Sequence, residues 1–354
     1  MPAAGKQLKA RRPALWFEPE ALKNSEILIQ PVGILTAAAG LDFLMGDPWG
    51  WPHPVQVMGW CISTYSRAVI KAAWPSWLER VAGLGLGLGL VMGSGAAGWA
   101  LLRLVQVHPA LAWATGVVLL ASCFAGRSLR WAAEDVLAPV EQGNLALAQQ
   151  KLALYVGRDT ADLSEIEILR AVMETVSENA TDGVMAPLFY AVIGAFLGEF
   201  LPGIGSVPLA LAYKAASTLD SMVGYKEPPY TYLGWFSARL EDALTWLPCR
   251  LVVFTIALLS GQPRRVWRVC QRDAIADPSP NAGWSECAYA AALGVQLGGV
   301  NRYRGVVKTK PLLGDALTPI TPQKIRQALQ LTQYMFLVWL CLAVAGLTGL
   351  NLVH

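Results

Sequence analysis

Residues 81–102 read VAGLGLGLGLVMGSGAAGWALL, a charge-free run between Arg80 and Arg103. At 1.5 Å per residue a helix of this length spans about 33 Å, enough for the hydrocarbon core of a bilayer. The run Gly83-Leu84-Gly85-Leu86-Gly87-Leu88-Gly89 invites a nucleotide-loop reading. No Lys-Ser/Thr follows it, it lies inside an apolar span, and no Walker A pattern occurs anywhere in the chain. Its glycines are read instead as small residues that let helices approach closely.

Working outward, Leu331–Leu350 is a second span, and Pro109–Gly126, starting near Leu104, is a third. Ile27–Gly46 is weaker and carries Asp42 near one interface; Ala243–Gln262 is apolar but holds Arg250. The 354 residues are 54% hydrophobic and only 15% charged, with a mean hydropathy of +0.40. A soluble domain carries about 25% charge. The sequence therefore predicts an all-α, polytopic helical membrane protein with about five to six membrane segments. One of these, Gly183–Tyr213, holds Glu199 and is interrupted by Pro187, Pro202, Gly203, Gly205 and Pro208. As one helix it would measure about 46 Å, more than the hydrocarbon core. Proline removes a helical hydrogen bond. A helical hairpin is expected, entering near Val184, reversing near Leu201–Ser206 and returning near Ala212.

The net charge of +3 is small and scattered, which argues against nucleic acid as a partner. The six cysteines form no CxxC pair and are read as reduced packing residues; three histidines are too few for a His-rich metal site. Residues 1–26 are polar and are expected as a disordered tail, with residues 27–354 a single integral-membrane catalytic domain.

Polar groups gather between the spans. Ser164 and Glu167 fit a capping box. Glu167, Arg170, Glu174, Glu178 and Asp182 follow at three- and four-residue steps on one helix face, with Ile166, Leu169, Met173 and Val176 on the other. The stripe is either a solvated face or a carboxylate cluster for Mg²⁺ or for a proton. Glu178-Asn179-Ala180-Thr181-Asp182-Gly183 sets polar groups against the onset of an apolar helix. Lys214, Ser217, Asp220 and Ser221 form a second stripe, with Gly224 a plausible C-cap. Lys214 is either an ion-pair partner or a phosphate ligand. Arg158 suits an anion. Arg239 and Asp242 are spaced to pair. Pro52-His53-Pro54 places His53 in a loop.

Together these segments resemble the adenosylcobinamide-phosphate synthase family. The resemblance runs from Leu41-Asp42 through Gly46-Asp47-Pro48 to His53-Pro54-Val55, then Val156-Gly157-Arg158-Asp159-Thr160 and Glu174 through Val184. Ala186-Pro187-Leu188-Phe189, Thr218 to Tyr225, Ala238-Arg239-Leu240, Arg272-Asp273-Ala274 and Ser279-Pro280-Asn281-Ala282-Gly283 complete it, covering roughly residues 30–345 in order. Ser217 stands where the family usually has asparagine, Glu241 where it has aspartate, and Asp277 where histidine is frequent. Phe196–Val207 is longer than the usual turn.

The resemblance implies a carbon–nitrogen ligase of cobalamin biosynthesis. Adenosylcobyric acid and an aminopropanol or ethanolamine phosphate are joined as an amide, with ATP and Mg²⁺ consumed as substrate. Glu174, Glu178 and Asp182 are the metal or base candidates, and Lys214 joins them as catalytic. Asp47, His53, Arg158, Asp159, Asn179, Asp220, Arg239, Arg272, Asp273, Ser279 and Asn281 are the substrate- and phosphate-binding candidates. The expected partners are the corrinoid, the aminoalkyl phosphate, membrane lipid and other membrane enzymes of the pathway. The active site is expected on the cytoplasmic side of the cell membrane. A transporter with broken helices and a non-catalytic membrane subunit are the competing classes. Transporters place ionisable groups near mid-membrane, whereas here only Glu199 and Arg250 lie well inside apolar runs.

Overall fold

The computed structural model describes residues 19–46, 53–201 and 203–353. Residues 1–18 of the expected tail and the candidate Asp47 lie outside the described residues. The first helix, α1, covers Pro19–Met45, so it begins inside the stretch expected as tail. There follow α2 (Pro54–Ala72), α3 (Ser76–Val105), α4 (Pro109–Ala121), α5 (Gly126–Glu141) and α6 (Leu145–Leu152). Next come α7 (Glu165–Asn179), a π-helical turn (Ala180–Met185), α8 (Ala186–Gly198), α9 (Ser206–Val223) and α10 (Trp235–Leu259). The chain continues through α11 (Pro263–Asp273), α12 (Ala282–Leu293), strands β1 (Leu297–Tyr303) and β2 (Val306–Leu313), and α13 (Pro322–Val353).

Among the described residues, five helical stretches are long and apolar enough to cross a membrane, and Pro31–Met45 is a shorter apolar one. The protein is an all-α polytopic membrane protein. The five stretches are not equivalent. In Glu165–Gly198, 61% of the most apolar window is buried within the protein, against 17% in Pro322–Leu350. The α7–α8 rod is therefore the central post, and outer helices present apolar side chains outward. Met92, Leu104, Leu258 and Leu342 are all exposed, as lipid-facing residues would be.

The α8–α9 hairpin forms as expected, reversing between Gly198 and Ser206. Its arms touch at backbone level: a Cβ on Gly194 would stand 2.3 Å from the Gly205 carbonyl oxygen. The entry differs from expectation. The chain does not begin a helix near Val184 but arrives as α7 and continues through the π-helical turn into α8. Such turns insert an extra residue into the helical ladder and shift the following side chains around the axis. At the far end Gly224 caps α9, its N–H donating to the Asp220 carbonyl at 2.8 Å. Gly224 does so with φ at −69°, not in the left-handed region. Small size is what the position requires, because a Cβ there would lie 2.0 Å from Asp220 Oδ1.

The glycines of α3 pack as read. A Cβ on Gly83 would stand 2.0 Å from the Leu233 carbonyl oxygen, and one on Gly87 would stand 2.5 Å from Phe236. Gly85 and Gly89 face open space, so only alternate glycines of the run are needed for contact.

The antiparallel pair β1–β2 was not anticipated. It pairs Gly299 with Lys310 and Tyr303 with Val306, with a bulge between Leu297 and Gly299. Its turn puts Arg304 at φ +50° and Gly305 at +78°. Two successive residues in the left-handed region are what a tight two-residue hairpin demands.

The hairpin contact yields a stability test. Gly194→Val must push α8 off the Gly205 backbone, and overpacking of this kind costs about 1–3 kcal/mol. Gly85→Ala meets nothing within 4 Å. Thermal unfolding in detergent should show a clear drop in midpoint for Gly194→Val and little change for Gly85→Ala. Equal midpoints for the two variants would contradict the packing described.

Candidate functional site

The site is built on α7. Ser164 Oγ accepts from the Glu167 N–H at 3.4 Å, and the Glu167 carboxylate accepts from the Ser164 N–H at 2.8 Å. This reciprocal pair is the expected capping box. The faces divide differently from expectation. Ile166 is exposed at 75%, while Glu174 is buried at 1%.

A buried carboxylate must be partnered or neutralised. Arg158 Nη2 donates to Glu174 Oε2 at 2.6 Å, and the Gly298 N–H donates to Oε1 at 2.9 Å. Arg158 also donates to Asn301 Oδ1 at 3.0 Å. Arg170 donates to the carbonyls of Gly298 and Val300, the latter at 2.8 Å. Glu174 thus ties the central helix to the Gly157–Thr160 loop and to β1. Gly298 allows this because its φ is +84° and a Cβ would stand 1.9 Å from the Pro311 carbonyl oxygen. Both oxygens of Glu174 are occupied. Among the described residues no group of three or more His, Cys, Asp or Glu converges in a metal-holding arrangement. Glu174, Glu178 and Asp182 are not a preformed Mg²⁺ cage.

One turn on, Glu178 is half-buried and within electrostatic reach of Lys310, Asp277, Glu174 and Arg158. Lys310, on β2, lies 3.2 Å from Glu286, which is fully buried on α12. Burial opposes the charge on Lys310, but Glu286, Glu178, Asp277 and Glu174 outweigh it and raise its pKa. Burial likewise pushes the Glu286 carboxyl up to about 8, with Lys310 only partly opposing it. The two partners point to opposite protonation states for their pair. Stoichiometry resolves this: one lysine cannot neutralise every carboxylate facing it, so it stays charged and one carboxylate keeps a proton. Glu286 Oε2 and Asp277 Oδ2 are buried without a hydrogen-bond partner.

Within the π-helical turn, Asp182 is within electrostatic reach of Glu241, Glu178, Asp220 and Asp242. Thr245 donates to Glu241 and lies 2.8 Å from the Tyr213 hydroxyl, which donates to the Asp182 carbonyl at 3.4 Å. Tyr213 precedes Lys214, so the two ends of the hairpin do meet. Thr181 Oγ1 lies 2.7 Å from Ser285 Oγ, which donates to the Ser177 carbonyl at 2.6 Å. This pair pins the π-helical turn to α12.

Other candidates have structural occupations. Asp159 accepts from the N–H groups of Arg304 and Gly305 at 3.0 and 2.7 Å and so closes the β-turn. Arg272 is exposed and bound to Asp273 and Asp315. Asp273 also accepts from the Gly314 N–H at 2.9 Å. Ser279 Oγ accepts from the Asn281 and Ala282 N–H groups at 3.3 and 3.1 Å at the start of α12. Asn281 is 3% exposed, donates to the Asp242 carbonyl at 2.9 Å and leaves Oδ1 unpartnered. Arg239 is exposed on α10 and acts electrostatically on Asp242. Lys214 is half-buried on α9, its carbonyl accepting from Thr218 Oγ1 at 2.7 Å.

His53 caps α2, its Nδ1 accepting from the Val55 N–H at 3.2 Å. It shares a cavity of about 800 Å³ with Asn179 on the other side of α7. Asn179 Nδ2 donates to the Thr175 carbonyl at 2.9 Å.

Lys310, Glu286 and Asn301 were missed by sequence reading, and Asp277 was noted only as a departure. Arg158, Glu174, Glu178, Asp182, Asp220 and Asp242 follow one another along one stripe, whereas His53, Asp159, Arg272, Asp273 and Ser279 are engaged elsewhere.

The family model described as CobD/Cbib protein matches residues 35–332. The cobalamin biosynthesis protein CobD of Synechocystis sp. is 54% identical over 319 residues, covering 90% of this chain and 92% of that protein. The cobalamin biosynthesis protein CbiB of Salmonella typhimurium is 39% identical over 316 residues, covering 88% of this chain and 96% of that protein. CobD of Citrobacter koseri is 39% identical over 296 residues, covering 82% and 89%. No solved structure gives a significant match. On the family match and on both levels of identity, the chain belongs to the CobD/CbiB family.

Proposed function

We propose that this protein is an ATP-dependent carbon–nitrogen ligase of cobalamin biosynthesis that joins the side-chain carboxylate of adenosylcobyric acid to an aminopropanol or ethanolamine phosphate. The observation that carries the reading is the stripe itself. Carboxylates and cations from six separate segments meet along α7 and its π-helical turn, at the end of an apolar rod. The names of the relatives, cobalamin biosynthesis proteins, support the pathway. ATP as the proposed substrate supports a site on the cytoplasmic side of the cell membrane.

The chemistry fits the charges. A carboxylate does not condense with an amine in water, so an oxygen of the corrinoid carboxylate attacks the γ-phosphorus of ATP and ADP leaves. The amine nitrogen then attacks the acyl carbon, the ammonium proton passes to a base, and inorganic phosphate departs with the C–O bond. Mg²⁺ arrives on the nucleotide phosphates and needs only one or two protein carboxylates, which Asp182 and Asp220 can supply. Glu178 is half-buried beside Lys310 and is the residue placed to take the amine proton. Arg158 is committed to Glu174, so it acts as a positioning residue. Arg239, Lys214 and Lys310 are the cations we assign to phosphate oxygens.

This reading separates two carboxylates that sequence alone treats alike. Glu178→Gln should fold normally yet lose about 10²–10⁴-fold in the rate of amide formation, the range for a positioned base. Glu174→Ala strands Arg158 as a buried, unpaired charge, so it should destabilise by about 3–5 kcal/mol. Turnover and thermal midpoint measured on both variants decide it. Near-normal turnover in Glu178→Gln returns that residue to a solvated-face role.

The proton held near Glu286 has its own pH signature. Its pKa is raised on folding, so the stability it contributes is present below the ordinary carboxylate range and is lost as pH rises through about 8. The wild-type midpoint should fall between about pH 5 and pH 9, and Glu286→Gln should flatten that fall. Parallel profiles for the two proteins would show that Glu286 is not the proton carrier.

A further inference from the structure

The cavity behind α7 is separate from the charged stripe and has a different character. At about 800 Å³ it lies in the upper part of the range for small-molecule sites, about 300–1,000 Å³. His53 and Gln56 come from the start of α2, Arg127 and Trp131 from α5, and Thr175 and Asn179 from α7. Trp131 is 46% exposed and presents a large face. Arg127 is also exposed. Its stem is set by the chain at Gly46, where φ is +61° and a Cβ would stand 2.7 Å from Arg127 Cγ. A glycine is required there to leave room for the Arg127 stem.

We propose, on the preceding reading of the function, that this cavity seats the corrinoid, with Arg127 and Trp131 as its binding residues. Size selects among the three substrates. An aminoalkyl phosphate of about nine heavy atoms would leave most of the cavity empty. A nucleotide needs several cations for its phosphates, whereas Arg127 is the one permanently charged side chain lining the cavity among the described residues. A macrocycle rimmed with amides matches the lining. Trp131 offers an apolar face, and Gln56, His53 and Asn179 offer donors and acceptors. Arg127 suits a carboxylate or an amide oxygen. Position agrees as well. Asn179 lines the cavity, while its neighbour Glu178 belongs to the charged stripe, so a carboxylate carried past Asn179 arrives at the reacting groups.

The test is direct binding to the full-length protein in detergent, with adenosylcobyric acid and aminopropanol phosphate as separate probes. Arg127→Gln and Trp131→Ala should each weaken corrinoid binding by at least about tenfold. Aminopropanol phosphate binding should be unchanged, which also reports that the variants are folded. Trp131→Phe, which keeps an aromatic face, should recover most of the affinity. Unchanged corrinoid affinity in Arg127→Gln and Trp131→Ala overturns the assignment. So does selective loss of aminopropanol phosphate binding, which would make the cavity the amine site. If the wild type itself binds no corrinoid, the ligase reading fails and the assignment falls with it.

Discussion

The buried carboxylate of Glu174 is the constraint from which the arrangement follows. It lies on the most enclosed of the five membrane-length stretches, where an unpaired charge is costly. Its neutralisation recruits Arg158 from a loop and the Gly298 N–H from a strand. Once those two are docked, the β-hairpin is fixed across α7, with Asp159 closing its turn. The hairpin in turn carries Lys310 to Glu286 and toward Glu178. A single structural ion pair therefore sets the position of groups that the chemistry uses.

The π-helical turn does the complementary work. It lets the same rod present Glu178 to the hairpin side and Asp182 to the carboxylates of α9 and α10. An unbroken α-helix would stack the two residues on one face. Thr181 and Ser285 hold the distortion in place. Two groups of like charge are kept apart, one beside cations and one beside further carboxylates. That suits a reaction needing both a proton acceptor and an attachment for Mg²⁺-bearing phosphates.

Much of this was legible in the sequence. Charge-free runs located the membrane segments, because a bilayer tolerates few charges. The α8–α9 reversal was written in Pro202-Gly203 and Gly205. The three- and four-residue spacing of carboxylates marked α7, though it could not tell buried Glu174 from half-buried Glu167. That difference depends on partners far along the chain. The β-hairpin was missed because Gly298-Gly299 interrupts the alternation of a strand, and its one clear signal, Arg304-Gly305, is weak in isolation. Lys310 went unread with it. The π-helical turn has no sequence signature of its own, and Asn179–Asp182 read as an ordinary polar break. Asp277, which sequence reading marked only as a departure, is buried within electrostatic reach of Lys310.

The claim at the centre of this account is that ATP activates the corrinoid carboxylate within this site. Oxygen transfer measures it most directly. With ¹⁸O in the side-chain carboxylate of adenosylcobyric acid, activation as an acyl phosphate delivers one labelled oxygen to inorganic phosphate for each amide formed. Amide formation accompanied by unlabelled phosphate, or by label in AMP, would contradict the account.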